Sequence, residues 1–328
     1  ATEQEFIRGF LMIPTQDLSC RLSKMTRRWP GSLVSDLDEY FAICSRTISR
    51  GISHFPSRDP YWLALPKSIF WNFQTPGSER TTSEKFLGDI LWAQYCVFLH
   101  VRIFDDILDG HVQKRSLPLA SEMFLSEAKM VLRRHFRPWS QFWKSFERYI
   151  SLTMNGITVA DKLQHSPETP RESFEKVHAN VCSVFKIGTT AFCHLAGKTQ
   201  CLRMLNKIMD HLAIISHLLD DLTDAPEDLQ RSRSNSAVAI LRSQLYKQPG
   251  IALDKLIEMR YSNSRTLAAF SKIFQEHVSA ALKSAETLGI PDIVEYVRSY
   301  RVFVDSLPVY LHSQHLKQIL PEFIEVEL

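Results

Sequence analysis

Two short acidic clusters have the residue types and the spacing that metal chemistry requires. Residues 105–109 read DDILD and residues 220–224 read DDLTD, so both follow the pattern DDxxD. On a helix, the first and last carboxylates of this pattern lie one turn apart on the same face. Mg²⁺ prefers oxygen ligands and is commonly shared with the phosphates of a substrate. The two patterns therefore predict a Mg²⁺ site that binds a phosphorylated molecule.

The position of both clusters is unfavourable for stability. Each follows an apolar helical stretch, so its carboxylates lie near a helix C-terminus, where the helix dipole disfavours negative charge. Like charges one turn apart destabilise the helix further, and partial burial increases the penalty. A solvated helix end would explain either cluster alone. For the pair, a cation that neutralises the carboxylates is the better explanation, because local rules are broken in this way at functional sites.

The elements that must position these clusters are helices. Apolar residues recur at helical spacing along most of the chain beyond residue 80, and strand signals are nearly absent from the sequence. Asn155-Gly156 predicts a kink, and Pro226 predicts the end or a kink of its helix because it lacks an N–H. The predicted helices are 81–111, 119–136, 138–164, 171–197, 200–225, 235–247, 251–288 and 292–319.

The helical pattern predicts a single all-α domain over residues 1–328. Several helices are apolar over more than one stripe, which indicates a bundle whose inner helices are surrounded by others. Residues 81–320 form this predicted bundle. Residues 1–80 are punctuated by prolines and form an irregular N-terminal cover.

Composition excludes several classes of protein. Lys and Arg number 39 and Asp and Glu number 36, and the net charge of +3 argues against a nucleic-acid partner. The six cysteines contain no CxxC pair, so they fit neither a zinc site nor a small disulfide framework. No uncharged apolar run reaches the roughly 20 residues that a membrane span needs. We therefore expect a soluble, cytoplasmic protein without stable membrane insertion.

With its two DDxxD motifs, the chain resembles the class I isoprenoid synthases, which comprise terpene cyclases and trans-prenyltransferases. The resemblance extends over residues 81–310. It implies an all-α bundle around a central apolar cavity, with both motifs facing across that cavity and about three Mg²⁺ ions between them. A homodimer is compatible with the packing of this family. The catalytic residues that the resemblance implies are Asp105, Asp106, Asp109, Asp220 and Asp224.

The surroundings of the first motif favour a cyclase over a chain-elongating prenyltransferase. Elongating synthases resemble one another in an N-terminal GGKxxRP segment and in an Arg-Arg pair after the first motif. Those cations hold the second substrate, isopentenyl diphosphate. Here only Lys67 and the pair Lys114-Arg115 stand in comparable places, and neither is a good match.

The second motif also favours a cyclase. Residues 220–228 are similar to the cyclase metal motif NDxxSxxKE, with Asp in place of the Asn, Ser and Glu ligands and Glu227 in place of the basic residue. The metal ligands implied by both motifs are Asp105, Asp106, Asp109, Asp220, Asp221, Asp224 and Asp228.

These features predict a class I terpene cyclase that acts on farnesyl diphosphate. One catalytic domain of this size suits a C15 substrate, and the all-Asp second motif resembles unconventional fungal sesquiterpene cyclases that make humulene. The expected product is α-humulene. A short-chain trans-prenyltransferase and a non-catalytic helical partner subunit are the alternatives.

The resemblance also implies ligands for the diphosphate and a lining for the pocket. Gly188 is the predicted helix break beside the allylic carbon. Each aromatic residue of the pocket has ordinary core packing as its alternative. The predicted diphosphate ligands are Lys186, Arg231, Arg298 and Arg301, and the predicted pocket residues are Trp71, Tyr95, Phe98, Phe185, Gly188, Phe192, Ser216 and Tyr300.

Overall fold

Helices account for the fold of the described chain. The computed structural model describes residues 16–48, 60–73, 84–108, 110–166, 169–245, 252–258, 260 and 263–319, and within these ranges it contains no strand. The predicted all-α fold is therefore confirmed. The thirteen α-helices of these ranges are α1 (Gln16–Thr26), α2 (Gly31–Ile48), α3 (Tyr61–Asn72), α4 (Glu84–Leu108), α5 (Leu117–Leu132), α6 (Gln141–Gln164), α7 (Arg171–Val181), α8 (Ile187–Leu195), α9 (Leu202–Gln230), α10 (Ser236–Leu245), α11 (Leu253–Glu258), α12 (Ser264–Leu288) and α13 (Pro291–Ile319).

The helices pack side by side around one apolar core. Helix α4 packs along α5, α6 along α7, and α9 along α12, which in turn contacts α13. The N-terminal helices join this bundle, because α2 contacts α5 and α3 contacts both α4 and α8. No helix in the described part of the chain is long and apolar enough to cross a membrane. The largest fully buried side chains include those of Trp92, Tyr95, Phe124, Phe142, Phe270 and Phe274.

The predicted single helix over 171–197 is wrong, because a 3₁₀ turn at Cys182–Lys186 separates α7 from α8. Two buried polar side chains supply hydrogen bonds that an uninterrupted α-helix would have made internally. The Gln94 amide donates to the Val184 carbonyl at 3.2 Å and accepts from the Gly188 N–H at 2.8 Å. The Thr153 hydroxyl accepts from the Val184 N–H at 3.2 Å. The break therefore lies two residues before the predicted Gly188, which is itself helical.

Helix α9 continues through Pro226 to Gln230, so the predicted end near residue 225 is wrong. A proline in a helix leaves the carbonyl four residues earlier without its N–H donor. Here that carbonyl belongs to Leu222, and the buried Arg260 donates to it from Nε at 3.0 Å. The replacement donor comes from a residue 38 positions further along the chain, and for this reason the local sequence did not indicate it.

The predicted helix 251–288 is also divided, into α11 and α12. Asn263 caps the second of these, because its side-chain oxygen accepts from the N–H groups of Arg265 and Thr266 at 3.1 and 3.0 Å. At the other end, Gly289 adopts a φ of 73°, the left-handed conformation that commonly terminates helices. Local capping chemistry thus fixes both ends of α12.

The predicted kink at Asn155-Gly156 is wrong, because α6 is continuous from Gln141 to Gln164. Gly156 instead permits close packing of α6 against the end of α7. A Cβ atom at this position would lie 2.8 Å from the backbone nitrogen of Val181 and 3.1 Å from the carbonyl carbon of Asn180. These are backbone atoms that cannot move aside as a flexible side chain could.

We therefore expect Gly156→Ala to lower the free energy of unfolding by about 1–3 kcal/mol through overpacking, although alanine is the better helix former. Gly31→Ala is the matched control, because a Cβ atom there would meet nothing within 4 Å. Urea unfolding followed by circular dichroism measures both variants. Equal stability of the two variants would contradict the close contact.

Candidate active site

The two acidic clusters lie close to each other, at the end of α4 and in the second half of α9. Arg102 forms an ion pair with Asp106, at 2.9 Å between Nη2 and Oδ1, and the same guanidinium lowers the pKa of Asp220 in part. His111 lies 3.5 Å from Asp106 and lowers the pKa of Asp224 in part. Two cationic side chains thus reach both clusters. Asp109, the last residue of the first motif, lies outside the described residues.

The second cluster holds more negative charge than its surroundings compensate. Burial, followed by repulsion from Asp224 and Asp221, raises the pKa of Asp220 to about 7. Burial and repulsion from Asp228 raise the pKa of Asp224 to about 6. Both side chains still reach solvent, as expected for carboxylates that line a cleft. The arrangement stabilises positive charge at this position.

Asp106 differs from the ligand that the motif predicted, because protein groups already surround its carboxylate. The Tyr40 hydroxyl donates to Oδ2 at 2.7 Å, and Arg102 donates to the same oxygen from Nε at 3.0 Å while pairing with Oδ1. Asp106 is 2% exposed. Its carboxylate is engaged by protein donors on both oxygens, and its role as a metal ligand stays a prediction. Tyr40 and Arg102 were not among the predicted site residues.

Asp221 and Asp228 are also held by protein donors. The N–H of Ser236 donates to Asp221 Oδ2 at 2.9 Å, its hydroxyl donates to the same oxygen, and His178 lies 3.5 Å away. Asp221 therefore faces the start of α10, which does not fit a direct metal ligand. Asp228 accepts from the Asn235 amide at 2.7 Å on one oxygen only. Pro226 does not displace Asp228 from the motif, because α9 remains helical through it.

The donor set fits a hard divalent cation in its chemistry. Asp105, Asp220, Asp224 and Asp228 offer carboxylate oxygens, the ligands that Mg²⁺ prefers, and the raised pKa values of Asp220 and Asp224 show uncompensated negative charge. Among the described residues, no three His, Cys, Asp or Glu side chains converge closely enough to hold an ion by themselves. Such an ion would therefore share its coordination with water and with a ligand's phosphates, as Mg²⁺ commonly does.

Lys186 is the predicted diphosphate ligand that the fold carries inward. It ends the 3₁₀ turn, is 6% exposed, and forms an ion pair with Asp210 at 2.5 Å. The neighbouring Cys182 thiol has its pKa raised to about 12 by burial, with a lowering effect from Lys186 and a raising effect from Asp105. The charges of both Lys186 and Asp105 of the first acidic cluster thus affect the buried Cys182 thiol.

The predicted ligands Arg231, Arg298 and Arg301 each contact other side chains of the protein, and their role as diphosphate ligands stays a prediction. Arg231 pairs with Glu227 at 2.6 Å on the surface of α9. Arg298 is exposed between Glu286 and Glu295, at 3.9 and 3.8 Å. Arg301 contacts Asp305 and Ser279, both at 3.1 Å. The inward face of α13 at this level is instead occupied by Tyr300, which is 2% exposed.

Aromatic side chains from three elements form a stack beside the break. Trp62 of α3 stacks against both Phe98 and Phe185, with ring centroids 5.0 and 5.4 Å away and ring planes inclined by only 21° and 20°. Phe98 and Phe185 also contact each other, at 6.0 Å between centroids. Tyr95 lies 6.1 Å from Phe98. Trp62 was not predicted, although the Tyr61-Trp62 pair at the start of an apolar helix could have indicated it.

Other predicted pocket residues divide into two groups. Tyr300 and Ser216 lie together. Burial raises the pKa of Tyr300 well above its usual value, and a hydrogen bond with the Ser216 hydroxyl opposes this rise in part. Phe192, in contrast, packs against other aromatic residues of the core, 5.4 Å from Phe70 and 5.5 Å from Phe86.

Trp71 and Gly188 also differ from their predicted roles. The Trp71 side chain is 55% exposed, so the prediction that it caps the cavity is wrong. Gly188 is buried where a Cβ atom would lie 3.1 Å from Pro66 and 3.3 Å from Gln94. It therefore permits close packing of α8 against α3 and α4.

We expect Asp220→Asn to stabilise the metal-free protein at pH 8 by about 1 kcal/mol, after allowance for solvent screening. Folding raises the pKa of Asp220, so the contribution of its protonated carboxyl to the free energy of unfolding is fully present below pH 3.8. That contribution is lost as the pH rises through about 7. The gain should therefore be smaller at pH 5 than at pH 8. Thermal unfolding in EDTA measures it, and Asp161→Asn, at an exposed position of α6, is the control. A pH-independent gain would contradict the crowding of charge.

Comparison with known proteins identifies the fold. No protein-family model matches the chain, and no curated protein matches its sequence. A geranylgeranyl pyrophosphate synthase from Lactobacillus brevis is 13% identical with a TM-score of 0.63, over 88% of this chain and 96% of its own. A heptaprenyl diphosphate synthase from Staphylococcus aureus is 13% identical with a TM-score of 0.59, over 95% and 98%. A decaprenyl diphosphate synthase from Rhodobacter capsulatus is 11% identical with a TM-score of 0.53, over 95% and 99%. The chain therefore has the helical-bundle fold of the isoprenyl diphosphate synthases.

Proposed function

We propose that the chain is a Mg²⁺-dependent class I isoprenoid synthase that ionises an allylic diphosphate. The observation that carries this proposal is the approach of the two acidic clusters, which share Arg102 and His111 as counter-charges. The solved structures with this fold are named as synthases of isoprenyl diphosphates, which supports the same class of substrate.

The carboxylates of Asp105, Asp220, Asp224 and Asp228 would hold Mg²⁺ in this site. When bound, Mg²⁺ neutralises the charge of a diphosphate and so makes it a better leaving group. Lys186 lies near the first cluster, as the effects of both Lys186 and Asp105 on the Cys182 thiol indicate. It would bring a buried positive charge, shared with its ion-pair partner Asp210, toward the same leaving group.

The aromatic stack suits the carbocation that diphosphate departure leaves behind. Trp62, Phe98 and Phe185 present apolar surfaces that exclude water, which would otherwise quench the cation. Their π faces can also stabilise positive charge by about 1–2 kcal/mol per ring when desolvated. Phe98 and Phe185 are only partly buried, so part of each ring remains accessible to a ligand.

Within this class, we propose a cyclase. A chain elongator needs cations for a second diphosphate, and of the pair Lys114-Arg115 that follows the first motif, Lys114 is paired with Glu39 at 2.8 Å and Asp36 at 3.5 Å. Those two acids of α2 compensate the charge of Lys114, which supports a role for this residue in packing against α2. We propose farnesyl diphosphate as substrate and α-humulene as product, formed by 1,11-closure and proton loss.

A short-chain trans-prenyltransferase is the second candidate. The names of the solved structures with this fold favour it, because each is a synthase that makes a prenyl diphosphate. A non-catalytic partner subunit is less well supported, because it would have no need for carboxylates that raise one another's pKa.

One incubation separates the three functions. The protein is given Mg²⁺ and geranyl, farnesyl or geranylgeranyl diphosphate, with and without isopentenyl diphosphate. We expect a hydrocarbon from farnesyl diphosphate alone, and Asp220→Ala or Asp105→Ala should abolish it with helical content unchanged. Longer diphosphates that appear only with isopentenyl diphosphate would indicate elongation, and no turnover of any substrate would indicate the subunit. Full activity of either variant would contradict the metal ligands.

We further expect Trp62→Leu to broaden the product mixture and to raise the relative turnover of geranylgeranyl diphosphate. Removing the indole leaves space beside the Phe98–Phe185 pair, so a bound chain is held in more than one conformation. Gas chromatography of the products measures the change. Trp139→Leu is the control, because Trp139 is 75% exposed. An unchanged product spectrum in Trp62→Leu would show that Trp62 is core rather than pocket wall.

A further inference from the structure

Helix α2 brings a hydrogen-bond donor to the end of α4. The Tyr40 hydroxyl donates to Oδ2 of Asp106 at 2.7 Å, and the two residues are 66 positions apart in sequence. Tyr40 is 1% exposed and Asp106 is 2% exposed, so solvent does not compete for this bond. Hydrogen bonds to buried carboxylates are among the stronger ones in proteins.

We infer that Tyr40 is a positioning residue for the first acidic cluster. By holding Asp106, it fixes the end of α4 and thereby the direction in which Asp105 faces the second cluster. This inference rests on the proposed function and adds to it a residue from the N-terminal region, where the sequence resembles no known motif.

The geometry distinguishes the Tyr40 bond from the other contacts of Asp106. Arg102 lies one turn earlier on the same helix, so its ion pair with Asp106 cannot fix α4 relative to the rest of the bundle. The Asp106 carbonyl accepts from the N–H groups of His111 and Val112 at 2.9 and 3.3 Å, and this ends the helix at the turn that follows. The Tyr40 hydroxyl ties this helix end to α2.

Helix α2 is itself held in place, as a positioning element must be. Lys114 binds Glu39 and Asp36, and Ser116 donates a hydrogen bond to Asp36. These contacts join α2 to the loop that follows α4. The Tyr40 hydroxyl therefore has a fixed position from which to orient Asp106.

The test compares Tyr40→Phe, which removes only the hydroxyl, with Ser35→Ala. The control also removes a hydroxyl from α2, at an exposed position. Three quantities are measured in the full chain: kcat and KM with farnesyl diphosphate, the Mg²⁺ concentration at half of the Mg²⁺-induced rise in melting temperature, and amide hydrogen exchange at the end of α4.

We expect Tyr40→Phe to lower kcat about tenfold with little change in KM, and to raise the Mg²⁺ midpoint several-fold. Exchange at the end of α4 should become faster, whereas Ser35→Ala should behave as the wild type in all three measurements. In an Asp106→Asn background, Tyr40→Phe should have no further effect on the Mg²⁺ midpoint, because its partner has lost its charge.

Faster exchange with unchanged kcat and Mg²⁺ midpoint would overturn the inference, because Tyr40 would then be only structural. An undiminished effect of Tyr40→Phe in the Asp106→Asn background would also overturn it. If the wild type turns over no allylic diphosphate and does not respond to Mg²⁺, the proposed function fails and the inference fails with it. That outcome differs from one in which the wild type responds to Mg²⁺ and Tyr40→Phe behaves as the wild type does, which would overturn the inference alone.

Discussion

Repulsion between carboxylates in two neighbouring helices is the constraint on which the rest of this structure depends. Burial and nearby carboxylates raise the pKa values of Asp220 and Asp224 within α9, and α4 ends in further aspartates close by. Such an arrangement lowers stability unless positive charge is present. Arg102 and His111 supply part of that charge from the protein. Mg²⁺ bound together with a diphosphate would neutralise the negative charge that remains on the carboxylates.

The helical structure is interrupted between α7 and α8, near the candidate site. The 3₁₀ turn at Cys182–Lys186 carries Phe185, which stacks on Trp62, and the buried Lys186 on adjacent residues. The turn persists because buried Gln94 and Thr153 satisfy its backbone groups. Local irregularity is stabilised by side chains from other helices, as is common at functional sites.

Helical periodicity and the acidic motifs were sufficient to predict the all-α fold and the two clusters that approach each other. The sequence could not show contacts between distant segments. The helix through Pro226 depends on Arg260, and the engagement of Asp106 depends on Tyr40. Arg298 was predicted to bind diphosphate because of its place in a motif, but helical phase turns it toward Glu286 at the surface. The motifs thus predicted the type of chemistry, and packing determines which residues of each motif can contact a ligand.

The N-terminal helices change how the active site of this chain is defined. From sequence, residues 1–80 are an irregular cover without a recognisable motif. In the structure, α2 contributes Tyr40 to the first acidic cluster, and α3 contributes Trp62 to the aromatic stack. One contact acts at the charged end of the site and the other at its apolar side. Because both belong to segments outside the family motifs, differences in specificity between chains of this fold can arise there while the acidic clusters stay the same.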